Sequence, residues 1–191
     1  MISEYDIEYL FQDQLDRIEK SDLRQKVIDI WVDACEKGRW DNADQLTNMP
    51  FTLLTKTHGI SFIEHTIVVT EGAVGIAKAM IETYKNLPYR IDMDRLVAGG
   101  LLHDIGKLLE IEPISGGGYR KSRSGMCARH PISGAILVAE AGLSDEMINI
   151  VACHAKEGEG RPQCIETVLI HQADFATFNP LVMMEKGQLI L

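Results

Sequence analysis

Residues 101 to 107 read Leu-Leu-His-Asp-Ile-Gly-Lys, so any fold of this chain must bury an imidazole and a carboxylate side by side. Leu96, Val97 and Gly100 precede them at helical spacing, and His103 and Asp104 therefore project from the middle of a helix's apolar face. A carboxylate taken out of water without a partner is very costly, so such a pair must be ion-paired or bind metal. Imidazole and carboxylate suit Zn, Fe, Mn or Ni.

The rest of the chain repeats the helical period. Leu10, Leu15, Ile18, Val27, Ile30 and Trp31 are spaced for buried helix faces, and Ser21-Asp22 marks a helix start between two segments. Phe51 to Ile60, with His58 and Gly59, reads as a loop. Ser61 then opens a long helix, with Glu64 three residues on as a capping box and Phe62, Val69, Ala73, Ile76 and Met80 on its apolar face. Asp92 caps the next helix, which weakens at Gly106. Residues 111 to 129 are irregular. Pro131 occupies a first helical position, Gly142 closes that helix, and another runs from about Ser144 to Ala155. After a Gly/Pro loop, a last helix spans about Gln163 to Phe178 and is stopped by Asn179-Pro180. No segment alternates with period two. The expected fold is all-α, a bundle of about seven or eight helices, with residues 1–50 as a helical segment packed on a domain of residues 51–191.

Three further helices each aim a ligand-type side chain inward. His65 shares a face with Phe62, Val69 and Ile76; His154 follows Met147, Ile150 and Val151; Asp174 lies one turn after Ile170. Taken singly, each histidine reads equally as a core residue bonded to a backbone carbonyl. His130, followed by Pro131, is pushed out of helical geometry and belongs at a helix mouth.

The order H…HD…H…H…D, from His65 to Asp174, resembles the HD superfamily of metal-dependent phosphohydrolases in its binuclear pattern. The resemblance implies a primary metal site of His65, His103, Asp104 and Asp174, second-metal ligands His130 and His154, and a bridging Asp104. It implies one or two divalent or transition ions (Fe, Mn, Zn, Ni or Mg) and hydrolysis of a phosphate ester or anhydride by a metal-activated water. The H-D-I-G-K and H-P-x-x-G-A runs are similar to HDIG proteins and HD-GYP cyclic dinucleotide phosphodiesterases. Where the latter carry paired histidines and D-G-x-G-Y-P, this chain has His154-Ala155 and G-E-G-R-P at 158 to 162. The I-H-Q-A-D-F segment is also similar to small HD hydrolases that cleave diadenosine tetraphosphate, and subfamily stays open.

Around this set, Lys107 follows Asp104 by three residues, placed to hold Asp104 or a substrate phosphate as a catalytic group. Arg120, Lys121, Arg123 and Arg129 form a basic cluster beside three glycines, a candidate phosphate clamp. His171, one turn before Asp174, is placed to orient it. Two other readings use the same residues: a di-iron oxygenase of the HD fold, and a non-catalytic ligand-binding or signalling module.

A net charge of −9 disfavours generic nucleic-acid binding, which needs a basic footprint, but not a small phosphorylated substrate, nucleotide or dinucleotide, in a local basic pocket. The chain shows neither a signal peptide nor a membrane span, so a cytoplasmic protein is expected. Cys35, Cys127, Cys153 and Cys164 form no C-x-x-C pair and read as reduced, mostly buried thiols.

Overall fold

The computed structural model describes residues 1–156 and 161–190. The expected segment at 158 to 162 therefore falls mostly outside the described residues. Helices α1 (Glu4–Leu15), α2 (Ser21–Gly38) and α3 (Ala43–Asn48) precede the 51–60 loop. Then follow α4 (Phe62–Thr83), α5 (Met93–Leu102), α6 (Lys107–Glu110), β1 (Ile111–Pro113), β2 (Tyr119–Lys121), α7 (Arg123–Cys127), α8 (His130–Glu140), α9 (Asp145–Cys153) and α10 (Ile165–Glu185). Among the described residues, seven helices have nine residues or more (α1, α2, α4, α5, α8, α9 and α10), so the architecture is the expected all-α bundle.

Local chemistry sets the long elements. The Ser61 hydroxyl accepts from Glu64 N at 3.2 Å while the Glu64 carboxylate accepts from Ser61 N at 2.8 Å, the reciprocal box that starts α4. Asp92 caps α5 through the N–H of Arg95. α4 packs against α5 and α10, and α8 against α9, around one apolar core. The N-terminal helices join that core through two indoles. Trp31 Nε1 donates to the Leu101 carbonyl at 3.1 Å and Trp40 Nε1 to that of Leu108 at 2.8 Å. Both carbonyls lie where short helices end and leave acceptors without an intrahelical partner.

Several local expectations are corrected. His103 and Asp104 are not in mid-helix: α5 ends at Leu102, and residues 103 to 106 form a turn before α6. Gly106 sits in this turn at a close backbone approach. A Cβ there would lie 2.1 Å from the His130 carbonyl oxygen and 2.7 Å from Gly134 N, because α8 crosses directly over the turn. Residues 111 to 129 are not wholly irregular, since β1 and β2 pair antiparallel, Glu112 opposite Arg120; strands of three residues are too short to display alternation. Pro180 does not stop α10. It sits inside the helix on an exposed stretch, where the hydrogen bond that proline removes is available to water. Pro131 is the second residue of α8, with Arg129 as the extended N-cap, and Ile76 is 40% exposed rather than core. Cys127 is exposed, whereas Cys35 and Cys153 are buried. No helix among the described residues is long and apolar enough to cross a membrane.

Candidate metal centre

Asp104, 1% exposed, is the hub. Its Oδ2 lies 3.3 Å from Nε2 of His65 and 3.3 Å from Nε2 of His103. Its Oδ1 lies 3.2 Å from Nε2 of His130 and 3.3 Å from Nε2 of His154. The donor atoms therefore fall into two groups that share this carboxylate, His65–His103–Asp104 and Asp104–His130–His154. Asp174 borders the first group: its Oδ1 is 3.2 Å from His65 Nε2.

Different elements supply these side chains. His65 comes from the first turn of α4, His103 and Asp104 from the turn after α5, His130 from the mouth of α8, His154 from the C-cap of α9, and Asp174 from the middle of α10. Each ring is held from behind. His103 Nδ1 donates to the Gly100 carbonyl at 2.6 Å and His154 Nδ1 to that of Val151 at 2.8 Å. His130 Nδ1 donates to Glu110 Oε2 at 3.0 Å. His65 Nδ1 faces Thr177 Oγ1 at 3.4 Å, whose own hydroxyl donates to the Asp174 carbonyl.

These bonds decide what the other ring nitrogens offer. An imidazole that donates through Nδ1 and is neutral has a lone pair at Nε2. Here the Nε2 atoms converge on carboxylate oxygens, acceptor against acceptor. The buried Nε2 atoms of His65 and His103 have no hydrogen-bond partner, at a cost of about 1–3 kcal/mol each. A cation between imidazole and carboxylate removes both penalties, so the donor set fits a divalent metal.

The charge states agree. Burial opposes ionisation of Asp104, but the Lys107 ammonium on its Oδ2 holds the carboxyl well below the usual carboxylate range. Asp174, despite burial, is drawn down to about 2 by the His65 imidazole. Burial lowers the pKa of His130 and favours the neutral, metal-ready ring.

The structure brings the six expected ligand residues together and adds one that sequence reasoning missed. Glu110 accepts from His130 N and His130 Nδ1, and from Arg129 Nε at 3.0 Å; Lys121 Nζ lies 3.3 Å from it. Burial raises its pKa, but His130 brings it down to about 2. Its position at the end of α6 carries no sequence signal, because its partners are 19 to 20 residues away or across the hairpin.

The basic cluster is divided. Lys121 and Arg129 line the cleft, but Arg120 turns outward onto Glu112 at 2.7 Å and Arg123 is exposed at the start of α7. Period-two alternation in β2 separates Arg120 from Lys121, a correction to the expected four-residue clamp. His171 does not orient Asp174; its Nδ1 donates to the His154 carbonyl at 2.6 Å and so fixes the turn carrying that histidine.

The donor groups open into a cleft of about 1260 Å³ in which Asp104, His130 and Asp174 form part of the floor. Phe51 stacks on the inner face, its ring 4.3 Å from that of His65, with Lys107 Nζ 5.6 Å from its centroid.

Against known proteins, the family model for the HD domain matches residues 62–175. The chain is 30% identical over 172 residues to the dihydroneopterin 2',3'-cyclic phosphate phosphodiesterase of Methanocaldococcus jannaschii, covering 84% of this chain and 65% of that protein. It is 33% identical over 118 residues to ribonuclease Y of Pseudothermotoga lettingae, covering 62% of this chain and 18% of that protein. The chain thus spans less than two thirds of the length of either relative. No solved structure gives a significant match.

Proposed function

The chain belongs to the HD-domain family, and on that footing we propose that it is a metal-dependent phosphohydrolase whose substrate is a nucleotide-type phosphoester. The observation that carries this reading is the partition of Asp104, with two imidazole Nε2 atoms facing each carboxylate oxygen. In this reading His65, His103, Asp104 and Asp174 hold one ion, and Asp104, His130 and His154 hold a second. The catalytic domain is residues 51–191, with residues 1–50 as a helical segment on it. The names of the two relatives, a cyclic phosphate phosphodiesterase and a ribonuclease, support phosphodiesters as the first class to test.

A bound divalent cation supplies Lewis acidity, lowering the pKa of an attacking water and neutralising charge on the departing oxygen. The chain's own residues prepare for this. The Lys107 ammonium keeps Asp104 ionised against the effect of burial. Glu110 and the Gly100 and Val151 carbonyls hold the Nδ1 protons, so each Nε2 stays an acceptor. Lys121 and Arg129 line the cleft, where their charges suit a phosphoryl group.

The test is elemental analysis of protein purified without chelator, alongside phosphate or alcohol release from a panel of cyclic and linear phosphodiesters with Mn²⁺ or Fe²⁺. About two ions per chain and chelator-sensitive turnover are expected. Absence of bound metal after add-back, or of turnover across the panel, overturns the proposal. Redox-active bound iron with no phosphatase activity would favour oxygenase chemistry instead.

A further inference from the structure

The cleft has a second half that the family match does not include. Part of its lining comes from residues within 62–175, but the rest is the 51–55 loop and α10 beyond residue 175. These two flanking segments are joined to each other. Thr55 Oγ1 donates to the Glu185 carboxylate, and the rings of Phe51 and Phe178 meet edge to face at 6.4 Å. Leu53 and Leu54 on the loop are 43% and 73% exposed, and they line the same cleft as the partly exposed Phe178 and Val182.

Exposed leucines beside aromatic and branched side chains form an apolar patch of the kind that marks a ligand-binding groove, and covering it is favourable. Here they line the same cavity as Asp104 and His130, so whatever covers them is joined to the group at the metal centre. At about 1260 Å³ the space exceeds what a lone phosphate fills and lies above the usual range of small-molecule sites, roughly 300–1,000 Å³.

We propose that Leu53, Leu54, Phe178 and Val182 form a leaving-group subsite for a phosphoester whose alcohol carries a flat aromatic ring system of nucleobase size. This rests on the phosphohydrolase reading. It assigns selectivity to the flanking segments and leaves the metal-centred chemistry to residues 62–175. The Thr55–Glu185 hydrogen bond joins the loop to α10, and Phe178 in the lining favours a π face over a small aliphatic group.

The test is calorimetric titration of the full chain, with two equivalents of Mn²⁺, by 1-naphthylphosphonate and by methylphosphonate, neither of which is hydrolysed. The naphthyl compound should bind at least about tenfold more tightly. The double variant Leu54→Ser/Val182→Ser, checked for an unchanged melting temperature, should lose that preference while its methylphosphonate affinity stays the same. Equal or absent binding of the two compounds by the wild type overturns the subsite, as does an unaltered preference in the variant. If the preference is present but neither naphthyl nor methyl phosphodiesters are cleaved, the hydrolase reading falls and the subsite stands.

Discussion

Oδ1 of Asp104 lies 3.2 Å from Nε2 of His130, while the other oxygen of the same carboxylate faces His65 and His103. One side chain thus organises two donor groups. Asp104→Ala should abolish metal binding and turnover while circular dichroism shows helicity largely intact, because the surrounding helices are held by their own caps and apolar core. Retained turnover would refute the site.

The two halves separate by mutation. His130→Ala and His154→Ala should each reduce the metal content from two ions to one, measured by elemental analysis. Glu110→Gln keeps the shape but weakens the hold on the His130 ring. It should lower affinity for one ion by about 10–100-fold, with the other ion unaffected.

The metal-free protein should lose stability on the acid side in two stages. His130 has a folded pKa below its usual value, so its contribution is complete above about pH 6.5 and declines as pH falls through the lowered value. Glu110 is depressed from 4.5 to about 2, so its contribution is present above pH 4.5 and is lost between there and about pH 2. Thermal melts of chelator-treated protein from pH 8 to pH 3 should show both declines, and Glu110→Gln should reduce the lower one, leaving the share that Asp104 and Asp174 contribute. A melting temperature flat across that range contradicts the assignment.

Gly106 lies under α8, and an added methyl would meet the backbone of His130 and Gly134. Gly106→Ala should cost about 2–3 kcal/mol by overpacking, roughly 5–10 °C in melting temperature. Because the displaced element carries His130, the variant should also bind one ion more weakly.

The basic residues should behave as two pairs. Replacing Lys121 and Arg129 together by serine should raise KM without releasing metal. Replacing Arg120 and Arg123 in the same way should leave KM unchanged, since one is paired with Glu112 outside the cleft and the other is exposed. Equal effects from both pairs would restore the single four-residue clamp.

Sequence alone determined the features with a local cause. The all-α class follows from helical periodicity, the starts of α4 and α5 from the Ser61–Glu64 box and the Asp92 cap, and the inward ligand residues from polar groups on apolar faces. Only the tertiary structure decided the rest, because it depends on neighbours far apart in the chain. The crossing of α8 turned Gly106 from a helix-weakening residue into a point of close backbone approach, and moved His103 and Asp104 into a turn. The pairing of β1 with β2 turned Arg120 away from Lys121. Glu110 joined His130, and Phe51 joined His65, across separations that no period or cap encodes. Helices form from contacts three and four residues apart; a metal centre forms where several of them meet, and that meeting is fixed by packing.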